Sequence, residues 1–153
     1  MSIQQLFFSI SNRIDDYFKY VTMLLSGEGT NAAQNNTFLD SSSNALALTR
    51  NGNTNQGTFT PYVSNWSNYF NGSTDYLSTP YNSRFGFSGN FTVECWIYWA
   101  SSSHGAYAGI ISCAQTSGWS GWQIIFDNTN NYFRVEVNNT TLITGSGITL
   151  TPY

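Results

Sequence analysis

Few residues of this 153-residue chain could do chemistry, and their types and spacing limit what that chemistry is. Cleaving a glycosidic bond takes two carboxylates flanking it, roughly 5–9.5 Å apart. One strand supplies such a pair from acids at i and i+2 or i+4. Glu94 has Thr92 and Trp96 as its same-face neighbours, so its local partner is missing, and Glu136 stands on another stretch whose spacing to Glu94 says nothing. The single histidine, His104, falls in a Ser/Gly turn, and no nucleophile–base pair is suggested. The expectation is a protein that is not an enzyme and has no catalytic residues.

Binding chemistry is better represented. Calcium takes several oxygens, at least one or two of them carboxylate. Asp75 and Asp127, with Asn128 beside the latter, occupy turn positions suited to that task. The same residue types also make turns by bonding their own backbone, and both readings stand. No other cofactor is expected. For carbohydrate, the apolar face of a sugar ring packs on an aromatic face while polar groups take the hydroxyls. Trp119, in the loop Ser117–Gly121, is the first candidate, with Tyr107 and Trp66 behind it. Trp96, Trp99 and Trp122 fall on predicted strands and read as packing residues.

Composition narrows the partners. Charged residues are 8% of the chain and aromatics 17%, against roughly 25% charged in ordinary soluble domains. Asn, Ser, Thr and Gly take over the surface. Arg13, Lys19, Arg50, Arg84 and Arg134 are scattered, so no basic stripe exists to neutralise a phosphate backbone, and nucleic acid is not an expected partner. No apolar run approaches the ~18 residues of a membrane span, so membrane insertion is not expected. Leu6, Phe7 and Phe8 lack a preceding positive cluster and a small-residue cleavage site, which predicts synthesis and folding in a cytoplasm. The two cysteines, Cys95 and Cys113, would sit opposite one another in a hairpin centred near His104, but a reducing compartment predicts two buried free thiols.

The elements follow from hydrophobic period. Ile3, Leu6, Phe7, Ile10, Ile14 and Phe18 recur three to four apart and predict a short N-terminal helix over residues 1–20, with an anchoring or assembly role for its apolar stripe or a plain packing one. Tyr20–Leu25 reads as a first buried strand ending at Ser26-Gly27, and Ala45–Arg50 as the next, closed by Asn51-Gly52. Tyr69-Phe70 and Tyr76-Leu77 flank the turn Asn71–Asp75. Phe91–Trp99 alternates cleanly and is expected to be the longest strand, with Phe91, Val93, Cys95, Ile97 and Trp99 in the core. Tyr107–Cys113, Gly121–Phe126, Tyr132–Val137 and Thr141–Thr144 follow as short strands. All three prolines lie in Thr-Pro-Tyr triplets, at 60–62, 79–81 and 151–153, each expected at a strand edge. The pattern is that of an all-β antiparallel sandwich spanning residues 21–153.

Asn71-Gly72-Ser73-x-Asp75-Tyr76-Leu77, Phe85-Gly86-Phe87 and Asn90–Tyr98, continued by Gly121–Asp127 and Phe133-Arg134-Val135, resemble the concanavalin-A-like, laminin-G-like superfamily. Met23–Asn31, Phe38–Asn44 and Arg50–Asn53 look like the version found in structural proteins of tailed phages, notably those of marine cyanobacteria. The resemblance implies a jelly-roll sandwich from about Val21 onward, often with one calcium ion at its rim. It also implies closing strands beyond Thr151-Pro152-Tyr153, so the sandwich is expected to be incomplete at its C-terminus or completed by a neighbouring chain. The function it implies is that of a virion structural protein (tail, fibre or capsid-associated), made in the host cytoplasm and located in the virion. Such a protein would be a homo-oligomer, assemble with other virion proteins and contact host-surface glycans. The alternative is a carbohydrate-binding or adhesin module of a bacterial surface protein.

Overall fold

The computed structural model describes residues 15–27, 37–56, 66–99, 105–114 and 120–145. Strand accounts for 34% of the chain and helix for 6%, an all-β content. The chain divides into two compact units, Met1–Pro80 and Tyr81–Tyr153.

In the first unit, β1 (Thr49–Asn51) pairs antiparallel with β4 (Tyr76–Ser78), and β2 (Asn55–Gln56) pairs with β3 (Asn68–Tyr69). The β2–β3 pair is nested inside the β1–β4 pair, so the four short strands form an interrupted ribbon. Its break is bridged by Asp75, whose Oδ1 accepts from Asn53 N at 2.7 Å and whose Oδ2 accepts from Asn71 N at 3.2 Å. Gly52 turns there at φ 67°, and a methyl group on it would meet the Asp75 carboxylate. Arg50 closes the β1–β2 turn, its Nε donating to Thr54 O at 2.6 Å and its Nη2 to Asn53 Oδ1 at 2.8 Å.

The second unit holds the four-stranded antiparallel meander β5 (Tyr107–Ala114), β6 (Gly121–Asp127), β7 (Tyr132–Val137) and β8 (Thr140–Thr144). Local sequence sets each connection. Asp127 organises the β6–β7 turn, its Oδ1 accepting from the backbone of Thr129 and Asn130, each at 3.0 Å. Asn138 and Asn139 make the two-residue β7–β8 turn with φ 48° and 60°, the left-handed pair that matches strand twist and that Asn tolerates. Register shifts mark the ladder at Gly109/Ile111 and at Val135/Glu136. In register, Trp122, Ile124 and Phe126 share one face with Phe133, Val135 and Val137, while Gln123, Ile125 and Asp127 share the other with Tyr132, Arg134 and Glu136. Phe126, fully buried, meets Trp99 and Phe133 edge-on with centroids 5.2 and 5.0 Å away.

These four strands stand where the sequence places them, to within a residue at each end. Three other expectations are corrected. Tyr20–Leu25 is not a strand: Phe18–Tyr20 is a 3-10 turn, and the segment after it is held by the loop Asp40–Asn44 instead of a ladder. Leu24 N donates to Asp40 Oδ1, Leu24 O accepts from Ser41 N, and Thr22 O accepts from both Ser42 Oγ and Asn44 Nδ2. Phe91–Trp99 belongs to no sheet, and Phe91, Cys95 and Ile97 are exposed. Alternation defines two faces but names no partner. Phe91 instead stacks on Phe87 at 4.1 Å, and Trp99 packs on Phe126. Tyr69 and Tyr76-Leu77 are strand residues, but each pairs with an earlier strand and not with the other. Of the proline triplets, Thr79–Tyr81 follows β4 directly, at a strand edge as expected. The other two lie outside the described residues, as does most of the expected N-terminal helix, residues 1–14.

Candidate functional site

The predicted binding residues do not form one described site. Trp119 and His104 lie outside the described residues. Trp66, in the first unit, is half-buried, and its backbone N donates to Gly27 O at 2.9 Å. Gly27 sits at φ 68°, where any side chain would run into the Trp66 carbonyl, so that crossing is fixed by the backbone. Tyr107, on β5, is 58% exposed and carries the Arg134 guanidinium over its ring, 4.7 Å from the centroid.

Asp75 and Asp127 are acceptor hubs of turns, in separate units. Both oxygens of each are engaged by hydrogen-bond donors: Asp75 by Asn53 and Asn71, Asp127 by Thr129, Asn130 and Arg134. Asn128 donates its backbone N to Ala106 O at 2.9 Å. Among the described residues, no group of three or more His, Cys, Asp or Glu is placed to hold a metal. The donor-saturated geometry fits the turn-forming reading of these residues better than a calcium ligand set.

The sequence reading missed the charged network on the polar face of the meander. Arg134 Nη2 lies 2.9 Å from Glu136 Oε1, and its Nη1 lies 3.5 Å from Asp127 Oδ2. Gln123, directly across from Glu136, donates its Nε2 to Oε2 of the same carboxylate. Asp127 is fully buried and Glu136 is 7% exposed. Desolvation pushes the Asp127 carboxyl up, but the Asn130 amide, the Asn130 and Thr129 backbone and the Arg134 charge outweigh it and hold the group below the usual carboxylate range. A general acid at neutral pH needs the opposite shift. The legible signal was Arg134-x-Glu136, two residues apart on a strand and so on one face.

A second hub, Asp40, was also missed. Its Oδ1 accepts from Leu24 N and Ser42 N and its Oδ2 from Ser42 Oγ and Leu46 N, at 2.8–2.9 Å. Burial raises this carboxyl, but the three backbone donors and the Ser42 hydroxyl bring it below its ordinary value. The two cysteines are free. Cys95 is exposed as a residue, yet its thiol, like that of half-buried Cys113, is pushed up by local burial, so neither is poised as a thiolate.

On the opposite, apolar face of the meander an open cleft of about 220 Å³ is lined by Phe87, Phe91, Trp122, Val137 and Asn138 with Gly86 and Gly121. Trp122 is pinned by donating its indole Nε1 to Phe85 O at 2.8 Å, and Phe87 leans on it with centroids 5.2 Å apart. Asn138 is held too: its Oδ1 accepts from Gly121 N at 3.0 Å, while its own N donates to Gly121 O at 2.9 Å. No helix among the described residues is long and apolar enough to cross a membrane. Comparison with protein-family models, curated proteins and solved structures finds no match to this chain.

Proposed function

We propose that this chain is an assembly module, a virion structural protein of a tailed phage that associates with its own kind and with other virion proteins and contacts host-surface glycans as a second task. The observation that supports the assembly half is the β8 edge. Thr140-Thr141-Leu142-Ile143-Thr144 pairs with β7 on one side, all five residues are exposed, and Leu142 and Ile143 are each 61% exposed. An antiparallel edge strand presents outward N–H and C=O groups, and proteins that must stay monomeric blunt such edges with charge, proline or a bulge. β8 has no charged residue and no proline; the register shift opposite Val135/Glu136 is the blunting feature it carries. The phage setting rests on the sequence resemblance alone. The jelly-roll sandwich belongs to the same proposal, with the meander as one of its sheets. Many weak contacts acting together would make such a module effective.

The test is a mass measurement in solution. A multimer that falls to monomer on Thr141→Lys with Leu142→Lys supports the reading. A wild-type monomer at working concentrations removes the assembly half, and a monomer that nonetheless binds glycans favours the bacterial surface module.

A further inference from the structure

The aromatic cleft on the apolar face has the makings of a ligand site that the sequence reading did not contain. We infer that it binds a single neutral hexopyranose ring, resting on the host-attachment half of the reading above. Size is the first argument. At about 220 Å³ the cleft is smaller than the roughly 300–1,000 Å³ of drug-sized sites, so it suits one ring and not a helix or an extended strand. Its walls are the second. Phe87 and Phe91 are stacked with an interplanar angle of 14°, and Phe91 is still 53% exposed, so aromatic surface stays open to a ligand. Aromatic faces take the C–H face of a pyranose.

Charge and polarity decide between a sugar and a hydrocarbon. None of the lining residues is charged, which argues for a neutral occupant. Asn138 uses its Oδ1 on Gly121 N, so its amide is held in place with the Nδ2 donor group left for a hydroxyl at the rim. The neighbours in sequence of the lining residues, Ser88, Asn90, Ser120 and Asn139, are all exposed, uncharged and able to hydrogen-bond. A purely hydrocarbon partner would leave that rim without partners. Preorganisation is the last argument: Trp122 is tied to Phe85 O and Asn138 to both backbone groups of Gly121, so little ordering cost falls on binding.

The test is saturation-transfer NMR and titration of the full chain with the methyl glycosides of glucose, galactose and mannose, and with sialic acid as the anionic comparison. The expected result is binding of at least one neutral glycoside with Kd on the order of 1 mM, the range open to so small a ligand. Phe91→Leu, which keeps bulk and loses the aromatic face, should weaken it about tenfold. Asn138→Asp, which keeps the acceptor for Gly121 N and removes the donor, should weaken it about fivefold. Wild-type binding that both variants retain overturns this site while the attachment reading survives, and loss on Trp119→Ala alone would send the ligand to that loop. Absence of any neutral-glycoside binding, or binding of sialic acid only, overturns the inference; the assembly half is judged separately by mass. A fall in assembly mass on Phe91→Leu without a sugar effect gives the cleft to a second copy of the chain and overturns it equally.

Discussion

In Met1–Pro80 the buried side chains among the described residues are Asp40, Ser42, Thr54 and Gln56; in Tyr81–Tyr153 they are Ile125, Phe126, Asp127 and Glu136. The first unit is thus centred on polar atoms and the second on a sheet with apolar residues beside an ion network. Two ways of satisfying backbone groups explain the contrast. Where a strand can pair, as in β5–β8, the ladder satisfies the N–H and C=O groups and side chains are free to be apolar. Where the chain is too irregular to pair, as in Val21–Gly27, side chains must do that work, and a carboxylate with four lone-pair directions does it best. Asp40 therefore gathers Leu24, Ser42 and Leu46. The solution is incomplete: Gln56 Oε1 and Asn68 Oδ1, on residues opposite each other in β2–β3, are buried without partners, a cost the second unit shows only at Arg134 Nε.

This contrast can be broken by removing each hub in turn. Asp40→Ala strips one hydroxyl and three backbone donors of their acceptor and is expected to cost about 3–4 kcal/mol, since bonds to charged groups contribute roughly 1.5–3 each. Hydrogen exchange should show the loss at Leu24, Ser42 and Leu46 while β6 and β7 keep their protection; uniform loss would mean the units are not separately organised. Arg134→Met leaves the Glu136 carboxylate desolvated without its cation and should cost about 3 kcal/mol, read as a lower denaturant midpoint with loss of protection confined to β5–β8. Gly27→Ala forces a methyl against the Trp66 carbonyl at a left-handed φ and should cost about 2 kcal/mol, visible in the first unit only.

Acid gives the smallest effect and sharpens the comparison. The folded-state pKa of Asp40 and of Asp127 is lowered. Their contributions are therefore complete above the ordinary Asp range, about pH 4, and are lost as pH falls through the lowered values. Asp40→Asn should flatten this acid dependence in the first unit and leave that of the second unchanged. A second-unit curve that flattens as well would show that the two hubs titrate as one.

The meander was legible because its determinants are local. Gly121–Asp127 and Tyr132–Val137 are β-rich runs bounded by Asp127–Asn131 and Asn138-Asn139, and these turn residues fix register without help from elsewhere. Phe91–Trp99 shows the limit of the same logic, since its alternation is as clean as any in the chain and yet it joins no sheet. Strand pairing is a property of two segments, and period-2 pattern reports on one. Of the site, the sequence offered the residue types: aromatics without nearby charge, and Asp and Asn at turns. It alone determined the strand-rich class, the uncharged surface and the four-strand meander, because propensity, turn chemistry and composition act within a few residues of themselves. Only the tertiary structure decided that Asp40 replaces a ladder, that Arg134 joins Asp127 to Glu136, and that Phe87, Phe91 and Trp122 close on one cleft. Each of those brings together side chains distant in sequence or across strands, and their free energy comes from desolvation and packing that no single stretch of chain contains.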